Sequence, residues 1–139
     1  MRKWLALSGA ERRVVIEALL LIAAFGLGLK LLRFRTVVGR VRSRSRRGSA
    51  VSAQRIGALV DAAGRILHAS CMPRALALAS VLASRGIPHE LRVGVRRTGS
   101  GIAAHAWVSD ESGVLLGGAR TGEYAPLLVY PERAMRVEG

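Results

Sequence analysis

The stretch that decides the fold reads Ala69-Ser70-Cys71-Met72-Pro73-Arg74-Ala75-Leu76-Ala77-Leu78. It contains the one cysteine of the chain, two residues before a proline. Proline suits the first turn of a helix, because its missing N–H would have no intrahelical partner there. Alanine and leucine favour helix in the residues that follow, and Arg85-Gly86 predicts the end of that helix. We therefore expect a helix that begins beside the cysteine.

Cys71 is a candidate nucleophile because of this position. A thiol at the N-terminus of a helix lies at the positive end of the helix dipole, which favours the thiolate. The free backbone N–H groups of the same turn can stabilise an oxyanion. The alternative is a buried, inert cysteine, which is the commoner role of a lone cysteine in a small protein. The choice between them depends on what the rest of the chain supplies.

Composition limits the class of protein. A chain of 139 residues predicts one domain with a hydrophobic core of its own. One cysteine excludes an internal disulfide, and no small-residue cleavage site follows the N-terminal apolar run, so we expect a cytoplasmic protein. The formal net charge of +13 predicts attraction to an acidic partner, which could be nucleic acid, anionic lipid or an acidic peptide.

The N-terminal region predicts one hydrophobic helix. Ser8 and Glu11 have the spacing of a capping box, so the helix should begin near Gly9. The uncharged residues 18–29 are too few for a membrane span, which needs about 20 residues. We therefore expect the helix to pack on the rest of the domain, and membrane contact is the less favoured interpretation. Gly26 and Gly28 should mark a bend or an end of this helix.

An arginine-rich segment follows. Residues 33–47 contain seven arginines together with serines and a glycine, which favours a solvated linker. The alternative is a docking arm for an acidic partner. A nucleic-acid module would add stacking aromatics to such a patch, and only Phe34 lies here, so we expect no nucleic-acid partner. The chain thus divides into residues 1–50, the helix and linker, and residues 51–139, the core.

The core has an α+β pattern. A second helix is predicted over 51–67, and its expected buried face consists of Ile56, Leu59, Val60, Ala63 and Leu67. After the cysteine helix, alternating segments at 90–96 and 102–108 predict two strands joined by a loop at 98–101. A third strand is predicted at 114–117. The apolar tail, residues 124–130, should dock on the core.

This order of elements is that of a papain-like or transglutaminase-like thiol site, packed as a cysteine-bearing helix on an antiparallel sheet. The helix presents the thiol of Cys71, and the second predicted strand presents His105. An imidazole across a cleft can keep the thiol ionised and later protonate the leaving amine. Cys71 and His105 are the two catalytic candidates.

Four short motifs together resemble the stand-alone lasso peptide leader-peptidase family of the transglutaminase-like superfamily. They are Cys71–Leu78, Arg85–Pro88, Leu91–Val95 and Ala104–Val108, and the N-terminal Leu5 and Glu11-Arg12 also match. The resemblance implies a cysteine peptidase that removes the leader from a ribosomally synthesised precursor peptide. It also implies a separate leader-recognition partner protein and an ATP-dependent lasso cyclase as partners.

The third catalytic residue is left open. The superfamily usually has an aspartate on the strand after the histidine. Pairing Val108 with Val114 would put His105 opposite Gly117, or opposite Gly118 after a slip of one residue, and glycine has no side chain. The acidic residues nearby are Asp110, Glu111 and Glu123. Either the register differs, or a loop acid orients His105, or the site works as a dyad.

The remaining histidines have weaker roles. His68 precedes Cys71 by three residues and should be structural, because the base in this layout comes from the sheet. His89 follows a proline in a turn and should be exposed. One cysteine and three scattered histidines make no zinc ligand set, so we expect neither a metal nor a cofactor. The competing functions are a non-catalytic adaptor that docks on membrane or peptide, and a thiol acyltransferase with the same acyl-enzyme.

Overall fold

The computed structural model describes residues 5–31, 50–118 and 124–130. Within them lie three helices, α1 (Gly9–Leu31), α2 (Ala53–Ile66) and α3 (Cys71–Ser84). The sheet follows as β1 (Glu90–Thr98), β2 (Gly101–Asp110), β3 (Gly113–Leu116) and β4 (Ala125–Tyr130). The α+β class predicted from the sequence is confirmed. Residues 33–47 lie outside the described part of the chain, so their interpretation as a linker or docking arm stays a prediction.

Helix α1 begins with the predicted capping box. The backbone N–H of Ser8 donates to Glu11 Oε2 at 2.8 Å, and the N–H of Glu11 donates to Ser8 Oγ at 3.2 Å. Glu11 also accepts a hydrogen bond from Arg55 Nε at 2.7 Å, which ties the start of α1 to α2. The same carboxylate therefore caps one helix and links it to the next.

The expected helix end at Gly26 or Gly28 is wrong, because α1 continues through both to Leu31. A glycine in a helix interior costs about 1 kcal/mol relative to alanine. Val14, Ala18 and Ile22 are buried in the core against α2 and α3. Burial of one such valine or isoleucine contributes about 1.5–3 kcal/mol, which exceeds the cost of one glycine. None of the described helices is long and apolar enough to cross a membrane.

Helix α2 has the predicted buried face with one exception. Ser52 caps it by accepting from the N–H of Arg55 at 3.2 Å, and Ile56, Leu59, Val60 and Ala63 are buried. Leu67, predicted on the same face, is 43% exposed. The reason is that α2 ends at Ile66, so Leu67 no longer follows the helical period.

Helix α3 lies at the centre of the domain and packs on α1, α2 and the sheet. Ser70 is its N-cap and Cys71 its first residue, which leaves Pro73 in the first turn as predicted. At the other end Gly86 has φ of 68° and donates its N–H to Ala83 O, while Ile87 donates to Leu82 O. These two bonds form a Schellman motif, and the predicted helix end at Arg85-Gly86 is observed.

The antiparallel sheet has the strand order β3-β2-β1-β4. β1 and β2 form a hairpin in which Thr98 pairs with Gly101. The predicted pairing of Val108 with Val114 is wrong, because Val108 pairs with Leu116. The register shifts between Val108 and Ser109, a bulge that slides the end of β3 along β2. The tail expected to dock on the core is the edge strand β4, paired with β1.

Helix α2 approaches β3 closely at a glycine. A β carbon at Gly57 would lie 2.5 Å from the carbonyl oxygen of Leu115, too close for any larger residue without movement of the backbone. This contact sets the spacing between α2 and β3. The candidate site lies in the space between them.

The paired Glu11 predicts a pH-dependent contribution to stability. The hydrogen bond from the Ser8 N–H, followed by the one from Arg55, lowers the pKa of Glu11 below its ordinary value. The folded state thus favours the ionised carboxylate. That stability is present at neutral pH and lost as the pH falls below about 4.3, the ordinary pKa of glutamate, through the lowered value.

We expect Glu11→Gln, which keeps the side-chain shape, to lower the urea midpoint at pH 7, and we expect its difference from the wild type to shrink as the pH falls towards 3. Urea unfolding between pH 7 and pH 3 measures this, with Glu111→Gln in the exposed turn as the control. A difference in urea midpoint between Glu11→Gln and the wild type that is equally large at pH 7 and pH 3 would contradict this prediction.

Candidate active site

Cys71 lies half-buried at the first position of α3. Within the described part of the chain, Ser70 before it and Pro73 after it leave donors at the helix start without a capping partner. Among the described residues Ser70 makes no side-chain capping hydrogen bond, and Pro73 has no N–H to cap. The N–H groups of Cys71 and Met72 are the first donors of the helix and have no intrahelical acceptor. They are suitably placed to bind an oxyanion formed beside the thiol.

His105 lies half-buried on β2, with one ring nitrogen held by the main chain. Its Nε2 lies 2.6 Å from the carbonyl oxygen of Gly117. A carbonyl can only accept, so Nε2 carries the proton and donates it. In the neutral ring this leaves the lone pair on Nδ1, which is the nitrogen able to accept a proton from another group.

The backbone at Gly117 explains why a carbonyl occupies this place. Gly117 has φ of 115°, which side-chain-bearing residues rarely adopt. A β carbon there would also collide with Trp107. The position predicted to face His105 therefore cannot hold an aspartate in this conformation, and it supplies a neutral acceptor instead.

Two aromatic rings flank the imidazole. The ring of Trp107 stacks at 5.9 Å between centroids and 23° between planes. The ring of Tyr124 lies at 5.2 Å and 36°. The Arg96 guanidinium lies 5.3 Å from the centre of the Tyr124 ring, which gives a cation–π contact. The orientation of His105 is thus fixed by a hydrogen bond at one edge and rings at its sides.

Cys71 and His105 line the same cleft, whose volume is about 760 Å³. The helical wall comes from α2, the loop after it and the start of α3, and the sheet wall comes from β2 and the end of β3. The lining residues on the helical side are Asp61, Arg65, Ala69, Cys71 and Arg74. The sheet side consists of His105 and residues 114–118.

Arg74 holds the loop that carries the thiol. Its Nε donates to the carbonyl of Ala69 at 2.8 Å, and its Nη1 donates to Asp61 Oδ1 at 3.1 Å. The other oxygen of Asp61 pairs with Arg65 at 2.8 Å. Arg74 lies flat on α2 where residue 64 is glycine, since a β carbon at Gly64 would overlap its side chain. These bonds join α2, the loop and α3 just before Cys71.

The other two histidines do not join this cleft. His68 is exposed with φ of 50° and is not among the residues that line the cleft. His89, predicted to be exposed, is partly buried, and its Nδ1 donates to Ile87 O at 2.9 Å. The turn folds back on the sheet, and burial lowers the pKa of His89 although the hydrogen bond opposes the shift.

The acidic candidates for the third residue differ in position. Asp110 lies at the far end of β2, where its Oδ1 accepts from the backbone N–H and the hydroxyl of Ser112. Glu111 is exposed in the turn, and Glu123 lies outside the described residues. Among the residues that the structure describes, no group of three His, Cys, Asp or Glu side chains could hold a metal ion.

Sequence reasoning missed two parts of the site. The Gly117 carbonyl carries no residue-type signal, because every residue has a main-chain carbonyl. Arg74 belongs to one of the four motifs, but the motif alone assigns it no role. Its spacing of three residues after Cys71 could have placed it on the same side of the helix as the thiol.

Comparison with known proteins identifies the fold family. The model of the transglutaminase-like superfamily matches residues 18–129, which is most of the chain. No curated protein and no solved structure gave a significant match. Enzymes of this superfamily are generally cysteine-based, which supports cysteine peptidase or acyltransferase chemistry. With its helix-borne thiol and strand-borne imidazole in one cleft, this chain belongs to the transglutaminase-like superfamily.

Proposed function

We propose that the protein is a cysteine peptidase that removes the leader from a ribosomally synthesised precursor peptide during lasso peptide maturation. One observation carries the chemistry: Cys71 at the start of α3 and His105 on β2 line one cleft. The choice of substrate rests on the four motifs that resemble the leader-peptidase family. The superfamily match supports the cysteine chemistry and leaves the substrate to experiment.

In the proposed reaction His105 Nδ1 first accepts the proton of the Cys71 thiol, and the resulting thiolate attacks the carbonyl carbon of the scissile amide. A C–S bond forms, and the oxyanion is bound by the N–H groups at the start of α3. The C–N bond then breaks as His105 Nδ1 donates its proton to the leaving amine, and the leader remains as a thioester on Cys71. Water attacks the thioester while Nδ1 accepts its proton, and the C–S bond breaks to release the leader acid.

The proposed partners follow from the same resemblance. A separate leader-recognition protein presents the precursor, and an ATP-dependent cyclase closes the ring of the released peptide. The seven arginines of residues 33–47 offer the charge for docking an acidic leader or partner. An acyltransferase would share the thioester but pass the acyl group to an amine.

Loss of the thiol should abolish leader cleavage. We expect Cys71→Ser and Cys71→Ala to lower the cleavage rate by roughly 10³-fold or more, as loss of a nucleophile does in other enzymes. Mass spectrometry of precursor and leader-recognition protein with each variant measures this, and circular dichroism checks that the fold is retained. Cleavage at the wild-type rate by the serine variant would exclude the thiol mechanism.

Loss of the imidazole should act on the thiol itself. We expect His105→Ala to abolish cleavage and to slow the alkylation of Cys71 by iodoacetamide near pH 7, because the base that ionises the thiol is gone. His68→Ala, outside the cleft, should keep the wild-type alkylation rate. Slow alkylation in the His68 variant and normal alkylation in the His105 variant would reverse the two assignments.

The arginine segment should contribute to substrate capture through charge. Replacing Arg42, Arg44, Arg46 and Arg47 by glutamine should weaken leader binding at low salt and matter less at high salt, because the Debye length falls to about 8 Å at physiological ionic strength. Alkylation of Cys71 should not change. Binding of leader peptide to both proteins against salt concentration tests this, and equal affinity at every salt would make the segment a solvated linker.

A further inference from the structure

A second cavity adjoins the cleft on the other side of Ala69 and the start of α3. Its volume is about 610 Å³, and it lies between the C-terminal half of α1 and the loop that joins α2 to α3. Ala69 lines both cavities. Within the first turn of α3, Cys71 and Arg74 face the cleft, whereas Ser70 and Pro73 face this second cavity. A peptide that lies against the thiol can therefore continue across Ala69 into it.

The chemistry of the two cavities differs. The cleft has charged side chains on its helical wall, Asp61 among them. The second cavity has a mainly apolar lining, and its polar side chains are those of His68 and Ser70. The apolar residues are Ile22, Ala23, Gly26, Leu27, Leu67, Ala69 and Pro73. We call this cavity the apolar groove. Leu27 and Leu67 are 60% and 43% exposed, so two leucines present unburied surface at its edge. Covering them with an aliphatic side chain would remove apolar surface from water on both sides.

Gly26 forms an opening in the wall of the groove. A β carbon at Gly26 would have no neighbour within 4 Å, so the space above this helical position is free. Gly26 lies inside α1 with no positive φ, so a larger residue fits there without backbone strain. Gly26 makes α1 less stable than alanine would, and it keeps the groove open beside the start of α3.

We propose that the apolar groove is a substrate subsite that binds an aliphatic side chain of the precursor peptide, two to four residues from the scissile bond. The inference rests on the proposed peptidase function and adds a specificity to it. An extended peptide advances about 3.3–3.6 Å per residue, so a few residues cover the step from the thiol past Ala69. Because Ala69 lines both cavities, we identify the occupant as the same peptide chain that the thiol attacks.

Peptide chloromethyl ketones test the subsite without the natural precursor. The thiolate displaces chloride from such a reagent, so the second-order rate of Cys71 alkylation reports how well the attached peptide binds. The reagents for this test are acetyl-tetra-alanine chloromethyl ketone and its variants with one leucine or one aspartate at the second, third or fourth position from the reactive carbon. Leucine at one of these positions should raise the rate about tenfold or more over alanine, and aspartate should not.

Two matched variants of α1 locate the effect. Gly26→Leu fills the groove and should abolish the leucine preference. Ala24→Leu places the same side chain on an exposed position of the same helix outside the groove and should keep it. Both variants should react with iodoacetamide at the wild-type rate.

The outcomes separate the subsite from the function. Equal rates for the leucine, alanine and aspartate reagents, or a leucine preference that survives Gly26→Leu, would overturn the subsite and leave the peptidase proposal standing. Alkylation of Cys71 by every peptide reagent no faster than by chloroacetone would show that the cleft binds no peptide, and would overturn both.

Discussion

The hydrogen bond between His105 Nε2 and the Gly117 carbonyl is the constraint on which the site depends. It fixes which nitrogen carries the proton and leaves the lone pair of the neutral ring on Nδ1. A carboxylate in this place would stabilise the imidazolium by charge, whereas a carbonyl acts through its dipole alone. The bulge between Val108 and Ser109 shifts the register of β3 against β2 next to Gly117. The irregular part of the sheet therefore lies beside the residue whose carbonyl orients the imidazole.

The helical wall is organised by a second set of bonds, centred on Arg74. This guanidinium links the Ala69 carbonyl to Asp61, and its flat position on α2 requires glycine at residue 64. The loop before Cys71 is thereby held while the N–H groups of the first turn of α3 remain open. The same loop separates the charged cleft from the apolar groove. One short segment thus sets the position of the thiol, of the first N–H groups of α3 and of the boundary between the two cavities.

Most of the fold could be predicted from local patterns. The capping box at Ser8, the cysteine at a helix start and the helix end at Gly86 are local features, and the sequence predicts each of them because the interactions span few residues. Errors arose where tertiary packing decides. Helix α1 continues past Gly26 because its apolar side chains are buried in the core. The bulge beside Val108 depends on contacts between strands, which the sequence of one strand does not show. The sequence predicted Cys71 and His105 as a pair, but the main-chain partner of His105 could not be predicted from residue types.

The protonation of the His105 ring is the most direct test of this site. In ¹⁵N-labelled Cys71→Ala protein, where no thiolate can pair with the ring, long-range ¹H–¹⁵N correlation spectra distinguish the two neutral tautomers. The Gly117 carbonyl requires the Nε2–H tautomer, with a hydrogen-bonded Nε2 proton and an unprotonated Nδ1. A neutral ring that carries its proton on Nδ1 would contradict the site, because Nε2 would then face the carbonyl oxygen with a lone pair and Nδ1 would have no lone pair to accept a proton.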